Sequence, residues 1–334
     1  MASKGKDFIE PELAWTREDY EKALNLAFDF KRASARGEKI EPLKGKIFFM
    51  LFYAHSLRTR TGIEAAMTQL GGQSQFISPE EELYSHEDIA DVARVLSSYG
   101  DAIGIRTALH SNYVYGEGHE FIKTFAKYAD IPVISLADEV FHPHEPLEEL
   151  MTIKDRLGKL EGLKVVYSWA YAPRFKAVCV PQSLLLVWTK FGMDVTLAHP
   201  KGLELDPNIV EVAQRNARES GGSFHVSNDM DEAVKGADVV HAKSYTCLRL
   251  SPPNVKVFDE TAARELFEKH KDWIMNEERQ DLMNKGGIYL HCLPAYKGIE
   301  VTEGVIEGPR SAVWDNQRNR IHAKKAILLT AIGE

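Results

Sequence analysis

Hydrophobic and polar positions alternate along the chain in two blocks of the same kind. Thr16 precedes the acidic pair of TRED and is placed to cap a helix that runs through YEKALNLAFDFKRA. Residues 46–52, KIFFMLF, form a short continuous apolar run, the pattern of a strand buried on both faces. Behind HSLRTRTG the apolar positions Ile63, Met67 and Leu70 fall at helical spacing. Residues 88–97 (DIADVARVLS) predict a helix, residues 102–105 (AIGI) a strand ending at Arg106, residues 119–128 a helix and residues 132–135 (PVIS) a strand. Such alternation is the pattern of a parallel sheet with right-handed crossovers.

The second block repeats the scheme. It predicts a helix at 147–157, strands at 163–169 (LKVVYSW), 194–198 (DVTLA), 237–242 (ADVVHA) and 287–291 (GIYLH), and helices at 182–191 and 207–219. A last helix, 323–332, is expected to pack back on the first block. Residues 248–270 have weak periodicity and the pair Pro252-Pro253, which suggests a long functional loop with a short helix. The length of 334 residues exceeds what one core usually organises. The expected fold class is therefore α/β, two doubly wound parallel-sheet domains with the active site in the cleft between them. Residues 1–146 plus 315–334 are expected to form one domain and 147–314 the other.

Composition narrows the possibilities. Hydrophobic residues make up 44% and charged residues 27%, and the formal net charge is −8. A general nucleic-acid or anionic-membrane surface needs a basic field, so any anion must be met by a local cluster of cations. Cys179, Cys247 and Cys292 show no CxxC spacing, so neither a disulfide framework nor a metal site is implied, and a reducing cytoplasmic location is expected. The start, MASKGKDFIEPELAW, lacks an apolar signal region, and no apolar run reaches membrane-spanning length. No GxGxxG or GxxxxGK[ST] follows a predicted strand, which argues against nucleotide binding.

The chemistry concentrates at predicted strand ends, where open α/β sheets hold ligands. HSLRTRTG, residues 55–62, places Arg58 and Arg60 at a helix start, the end that already carries partial positive charge. Each such cation costs about 0.3–1 kcal/mol locally. A bound phosphate dianion reverses that cost, because helix N–H groups and arginine forks both suit it. The plainer alternative is two surface arginines flanking a helix. Arg106, the run His142-Pro143-His144-Glu145 and the run His291-Cys292-Leu293-Pro294 end or follow other strands. Taken singly, each has a plain structural explanation: a surface arginine, a turn-capping histidine, a small buried cysteine.

Taken together, these stretches resemble the aspartate/ornithine transcarbamylases. HSLRTRTG is similar to their S-T-R-T-R loop, Arg106 to their strand-end arginine, and His142-Pro143 to the start of H-P-x-Q. His291-Cys292-Leu293-Pro294 matches H-C-L-P of the ornithine-type branch, and Asn319-Arg320 matches the C-terminal N-R pair. The motifs occur in the family's order over nearly the whole chain. The resemblance implies carbamoyl transfer from carbamoyl phosphate to an amine, no cofactor, no metal, and a homotrimer with shared active sites. It further implies that Ser56, Leu57, Arg58 and Thr59 hold the phosphate. Arg106, His142 and Thr59 would polarise the carbamoyl oxygen, and Glu145 and Arg320 would also meet the donor. A neighbouring subunit would contribute a loop at about residues 78–87.

Several positions depart from the pattern. Leu57 stands for Thr, as in the S-L-R-T-R of N-succinylornithine enzymes. Glu145 replaces the Gln of H-P-x-Q and is expected to add negative charge near a dianion. No D-x-x-x-S-M-G motif is present. His241-Ala242-Lys243-Ser244-Tyr245 is instead similar to the K-S-W stretch of N-acetylornithine enzymes, and residues 169–183 (WAYAPRFKAVCVPQS) resemble the proline-containing loop of the knotted subgroup. The run from Phe191 to Phe224 looks closest to the YgeW type. Lys176, Arg174 and Lys243 are candidates for an acceptor carboxylate, with Tyr245, Cys292 and Leu293 lining the acceptor pocket. Tyr296 stands where some relatives carry Arg. The expectation is a knotted carbamoyltransferase acting on a small amino or amide acceptor other than free ornithine or aspartate. The alternatives are an N-acetyl- or N-succinylornithine enzyme of arginine synthesis and a catalytically weak anion-binding relative.

Overall fold

The structure is a computed structural model that describes residues 7–78, 87–107, 114–246, 248 and 260–333. Its backbone divides into two compact units, residues 1–151 with 318–334, and residues 152–317. The first unit contains α1 (Pro11–Ala14), α2 (Arg17–Ala35), β1 (Ile47–Phe52), α3 (Leu57–Gln69), β2 (Gln73–Ile77), α4 (Ile89–Tyr99), β3 (Ala102–Arg106), α5 (Glu117–Tyr128), β4 (Val133–Ala137) and the start of α6 (Glu145–Leu157). The second contains β5 (Lys164–Ser168), α7 (Cys179–Lys190), β6 (Asp194–Ala198), α8 (Pro207–Ser220), β7 (Ser223–Ser227), α9 (Met230–Val234), β8 (Val239–Ala242), α10 (Glu260–Glu268), α11 (Glu277–Leu282), β9 (Ile288–Leu290) and α12 (Glu303–Ile306). The last helix, α13 (Val313–Ile332), begins in the second unit and ends in the first. No helix among the described residues is long and apolar enough to cross a membrane.

Each unit is a parallel sheet, so the expected α/β class with two such domains holds. Strand order is β2-β1-β3-β4 in the first and β7-β6-β5-β8-β9 in the second, and every pairing is parallel. In the first sheet the chain moves from β1 outward to β2, then returns past β1 to β3. Right-handed crossovers in opposite directions place helices on opposite faces, which is the doubly wound arrangement. The same reversal occurs between β5 and β8.

The continuous apolar runs are explained by this two-sided cover. Phe49, Leu51, Ile103 and Ile105 share a buried cluster with Ala93 of α4 and Ile122 and Phe125 of α5. The alternate residues Phe48 and Met50 are buried as well. Gly104 interrupts β3 for a steric reason: a Cβ there would lie 2.5 Å from the Phe48 ring and 2.8 Å from Leu136. Thr16 caps α2 with a full capping box, accepting from Asp19 N at 3.2 Å while its own N–H donates to Asp19 at 2.9 Å.

Four elements differ from expectation. Strands β2 (QSQFI) and β7 (SFHVS) were not anticipated, because these two edge strands carry polar, partly exposed residues and lack the apolar run that the other edge strands, β4 and β9, retain. Helix α13 starts at Val313 rather than Ala323, and α6 starts at Glu145 rather than Leu147.

The segment after β4 is held by a buried charged chain. His119 Nδ1 meets Asp138 at 3.0 Å and Nε2 meets Glu10 at 2.9 Å. Burial disfavours the imidazolium, but the bonds and charges of Asp138 and Glu10 outweigh it and raise the pKa to about 9. Stability from this contact is fully present below the unfolded value of about 6.5 and is lost as pH rises through about 9. Urea unfolding from pH 6.5 to 10 should show a fall of at most about 3 kcal/mol that is missing in His119→Gln. Parallel curves for the two proteins would show that the contact does not carry this charge.

Candidate active site

In the first unit the site residues gather where strand order reverses. Phe52, the last residue of β1, pairs with Arg106, the last of β3, and Tyr53 N donates to the Arg106 carbonyl at 2.9 Å. The loop after β1 therefore starts level with Arg106. Ser56 caps α3, its Oγ accepting from Thr59 N at 3.3 Å. Thr59 is buried, Arg58 half-buried, and Leu57 points outward. The first turn of α3 has no acidic residue. The two arginines of the loop have different surroundings. Arg60 lies 3.6 Å over the Phe76 ring of β2 and pairs with Glu64 at 2.9 Å, so its charge is accounted for structurally.

Arg106 is oriented by a bulge. Ile105 pairs with Ser135 and Arg106 with Ala137, which leaves Leu136 out of register, and Ala137 has φ 134°. The Leu136 carbonyl accepts from Arg106 Nη1 at 3.0 Å. Asp138 then turns the chain by accepting from Val140 N at 2.9 Å and Phe141 N at 2.7 Å, which sets the path to His142. Burial first, then the Arg106 charge, push the His142 pKa well below its ordinary value. His142 is thus a neutral imidazole at pH 7. His144 is buried and neutral for similar reasons, burial first and then Lys324.

Glu145 opens α6 and accepts from Arg320 Nη2 at 2.7 Å. Arg320 also ion-pairs with Glu148 at 2.7 Å, and Lys324 donates to Glu148 at 2.7 Å. The negative charge expected at Glu145 is thus paired with a cation, Arg320. Helix α3 approaches this cluster closely. A Cβ on Gly62 would lie 2.8 Å from Lys324 Cε, so the glycine of HSLRTRTG makes room for the buried lysine.

In the second unit the corresponding reversal lies between β5 and β8, and its centre is Glu300. Lys176 Nζ reaches the two Glu300 oxygens at 2.6 and 2.7 Å, Ser244 N donates at 3.0 Å, and Tyr296 N donates at 2.9 Å. His291 Nδ1 accepts from Leu293 N at 2.8 Å, so its proton is on Nε2, which lies 3.7 Å from Glu300. Burial would raise the Glu300 pKa, but His291 and Lys176 hold it well below the carboxylate range. Burial lowers the His291 pKa to about 3, keeping it neutral. Lys176 also donates to Pro294 O at 3.2 Å and lies 4.9 Å from the Tyr296 ring centre.

The remaining second-unit candidates are less alike. Tyr245 is fully buried, and its hydroxyl donates to Leu203 O at 3.0 Å. Lys243 and Cys292 are buried near the ends of β8 and β9, and Arg174 is exposed. Leu293 has φ 61°, and the Leu293–Pro294 peptide is cis. Residues 79–86 of the expected neighbour-contributed loop, and Cys247, lie outside the described residues. No group of three His, Cys, Asp or Glu among the described residues could hold a metal ion. Glu148, Lys324 and Glu300 were not anticipated. Their signal in the sequence is faint, a charged residue inside an otherwise apolar helical or loop pattern.

The carbamoyl-P binding domain of aspartate/ornithine carbamoyltransferase matches residues 6–155, and the Asp/Orn binding domain matches residues 161–331. The chain belongs to the aspartate/ornithine carbamoyltransferase family. It is therefore an enzyme of the transcarbamylase type. Ornithine carbamoyltransferase of Pyrococcus horikoshii is 36% identical, covering 100% of this chain and 98% of that one. N-acetylornithine carbamoyltransferase of Xanthomonas campestris is 33% identical over 96% of each. Among solved structures, the Pyrococcus furiosus ornithine carbamoyltransferase superposes with a TM-score of 0.86 at 35% identity, covering 100% of this chain and 99% of its own. An acetylornithine transcarbamylase complexed with acetylcitrulline gives 0.89 at 32%, covering 98% and 100%.

Removing one partner of a buried ion pair typically costs about 3–5 kcal/mol, whereas replacing both can be neutral. Lys176→Met should therefore destabilise by about 3 kcal/mol or more, and Lys176→Met with Glu300→Met should recover most of it. Chemical unfolding of the four proteins of this cycle measures the coupling. Additive losses would mean that the pair is not one unit.

Proposed function

We propose that this carbamoyltransferase moves the carbamoyl group of carbamoyl phosphate to the amine or amide nitrogen of a small acceptor other than free ornithine or aspartate, as in the YgeW-type group. The observation that carries the reading is the engagement of Glu300. Free ornithine brings an α-ammonium that needs a carboxylate. The buried carboxylate beside the reversal of the second sheet is held by Lys176, Ser244 and Tyr296. No D-x-x-x-S-M-G motif supplies another. Lys243 and Arg174 suit an acceptor carboxylate, and Cys292 and Leu293 suit the lining of its pocket. A second reading, N-acetyl- or N-succinylornithine as acceptor, is favoured by the likeness to the acetylornithine transcarbamylase. An acylated α-amine also lacks the ammonium charge.

On the donor side, the α3 N-terminus with Ser56, Leu57, Arg58 and Thr59 holds the phosphate. Arg106, His142 and Thr59 polarise the carbamoyl oxygen. His142 acts as a neutral hydrogen-bond donor, since its surroundings keep it unprotonated. Glu145, anchored by Arg320, accepts from the carbamoyl NH2. A neutral amine attacks the carbonyl carbon, negative charge grows on the oxygen, and phosphate leaves. An alkylammonium acceptor first loses a proton, because its pKa lies near 10. An ionised phosphate oxygen of the donor receives it. The enzyme is a cytoplasmic homotrimer in this account, with residues 78–87 of a neighbour completing the site.

Purified protein incubated with carbamoyl phosphate and a panel of ornithine, aspartate, N-acetylornithine, N-succinylornithine and small amides identifies the acceptor by mass of the product. The reading predicts product with a panel member other than ornithine or aspartate. Turnover of ornithine above all others contradicts it. With the identified acceptor, Arg106→Ala should lower kcat by about 10²–10³-fold, the usual loss for one oxyanion donor.

A further inference from the structure

The Asn319-Arg320 pair ends one helical turn before Lys324, and no step of the proposed transfer uses that lysine. Arg320 and Lys324 stand at i, i+4 on α13, and Glu145 and Glu148 stand at i, i+3 on α6, so each pair lies on one helix face. The two faces interlock. Arg320 reaches Glu145 and Glu148 at 2.7 Å each, and Lys324 Nζ donates to Glu148 at 2.7 Å. Two carboxylates meet two cations, and all four side chains are buried. Burial lowers the Lys324 pKa, and the adjacent Glu148 carboxylate opposes that shift. The Lys324 charge is also felt at His142, where it follows burial and Arg106 in holding the imidazole neutral.

The alkyl chain of the same lysine runs against the phosphate helix. A Cβ on Gly62 of α3 would lie 2.8 Å from Lys324 Cε and 3.1 Å from Cδ, and no other described residue comes within 4 Å of it. Gly62 has no positive φ, so its backbone suits alanine. Glycine inside a helix costs about 1 kcal/mol against alanine. The close approach of Lys324 is what the missing side chain provides here.

We propose that Lys324 is a positioning residue of the donor site, its ammonium locking Arg320 and Glu145 where they meet the carbamoyl group and its alkyl chain setting how closely α3 approaches them. This rests on the donor reading above. The lysine acts through these groups and does not itself touch substrate. Its two ends therefore govern different parts of the donor, the ammonium the carbamoyl end and the alkyl chain the phosphate end.

Calorimetric titration with carbamoyl phosphate and with inorganic phosphate separates the two. Lys324→Met keeps the length of the chain beneath Gly62 and removes the ammonium. It should lower the ratio of carbamoyl phosphate affinity to phosphate affinity about tenfold. Adding Glu148→Gln removes the carboxylate charge left behind, which restores folding if the single variant is unstable, and the ratio should stay low. Gly62→Ala leaves the charges in place and crowds the helix, so it should weaken both ligands alike, by about tenfold, although alanine favours the helix itself. A native ratio in the lysine variants, or native binding of both ligands by Gly62→Ala, overturns the inference while the donor reading stands. A native protein that binds neither ligand overturns the donor reading and the inference with it.

Discussion

The first unit depends on one buried carboxylate. Glu148 is fully buried, and an isolated ionised carboxylate in that position would cost several kcal/mol. It persists because Arg320 and Lys324 flank it, each at 2.7 Å. Those partners come from α13, 176 residues further along in the case of Lys324. The contact therefore closes the first unit on the end of the chain. It also sets the rest of the donor side. Arg320 reaches from Glu148 to Glu145, Glu145 stands beside His142, and Lys324 runs under Gly62 of the helix that Ser56 caps.

The second unit uses the same device with different residues. Lys176, Ser244, Tyr296 and His291 converge on Glu300 from segments that follow different strands. Both arrangements pair their charges internally and fix loops at a strand-order reversal, where a parallel sheet offers converging loops and room for a ligand. The charge proposed to meet a substrate then comes from other residues placed by these frames. In a chain of net charge −8, the proposed phosphate site requires such a local placement of cations.

Much of the frame was legible from pattern alone. β1, β3, β4, β5, β6 and β8 are apolar runs because both faces of a parallel sheet are covered. The edge strands β2 and β7 were not legible, since Gln73 to Ile77 and Ser223 to Ser227 are only partly buried and carry polar residues. The first half of α13 was missed because Asn316, Asn319 and Arg320 look solvated in sequence yet are buried. The motif residues Ser56, Arg58, Arg106, His142 and Cys292 could be found by spacing and by family resemblance. Glu148 and Glu300 could not, because what makes them important is partners far along the chain. The bulge at Leu136 that orients Arg106 has no signature in SLAD either.

The central claim is that a cationic helix start and strand end, framed by internally neutralised carboxylates, form a site for carbamoyl phosphate. Calorimetric titration of the protein with carbamoyl phosphate, alongside Arg58→Ala, tests it most directly. The account predicts saturable binding by the native protein and its loss in Arg58→Ala, with both proteins equally folded by circular dichroism. Absence of binding to the native protein, or equal binding by the variant, would contradict it.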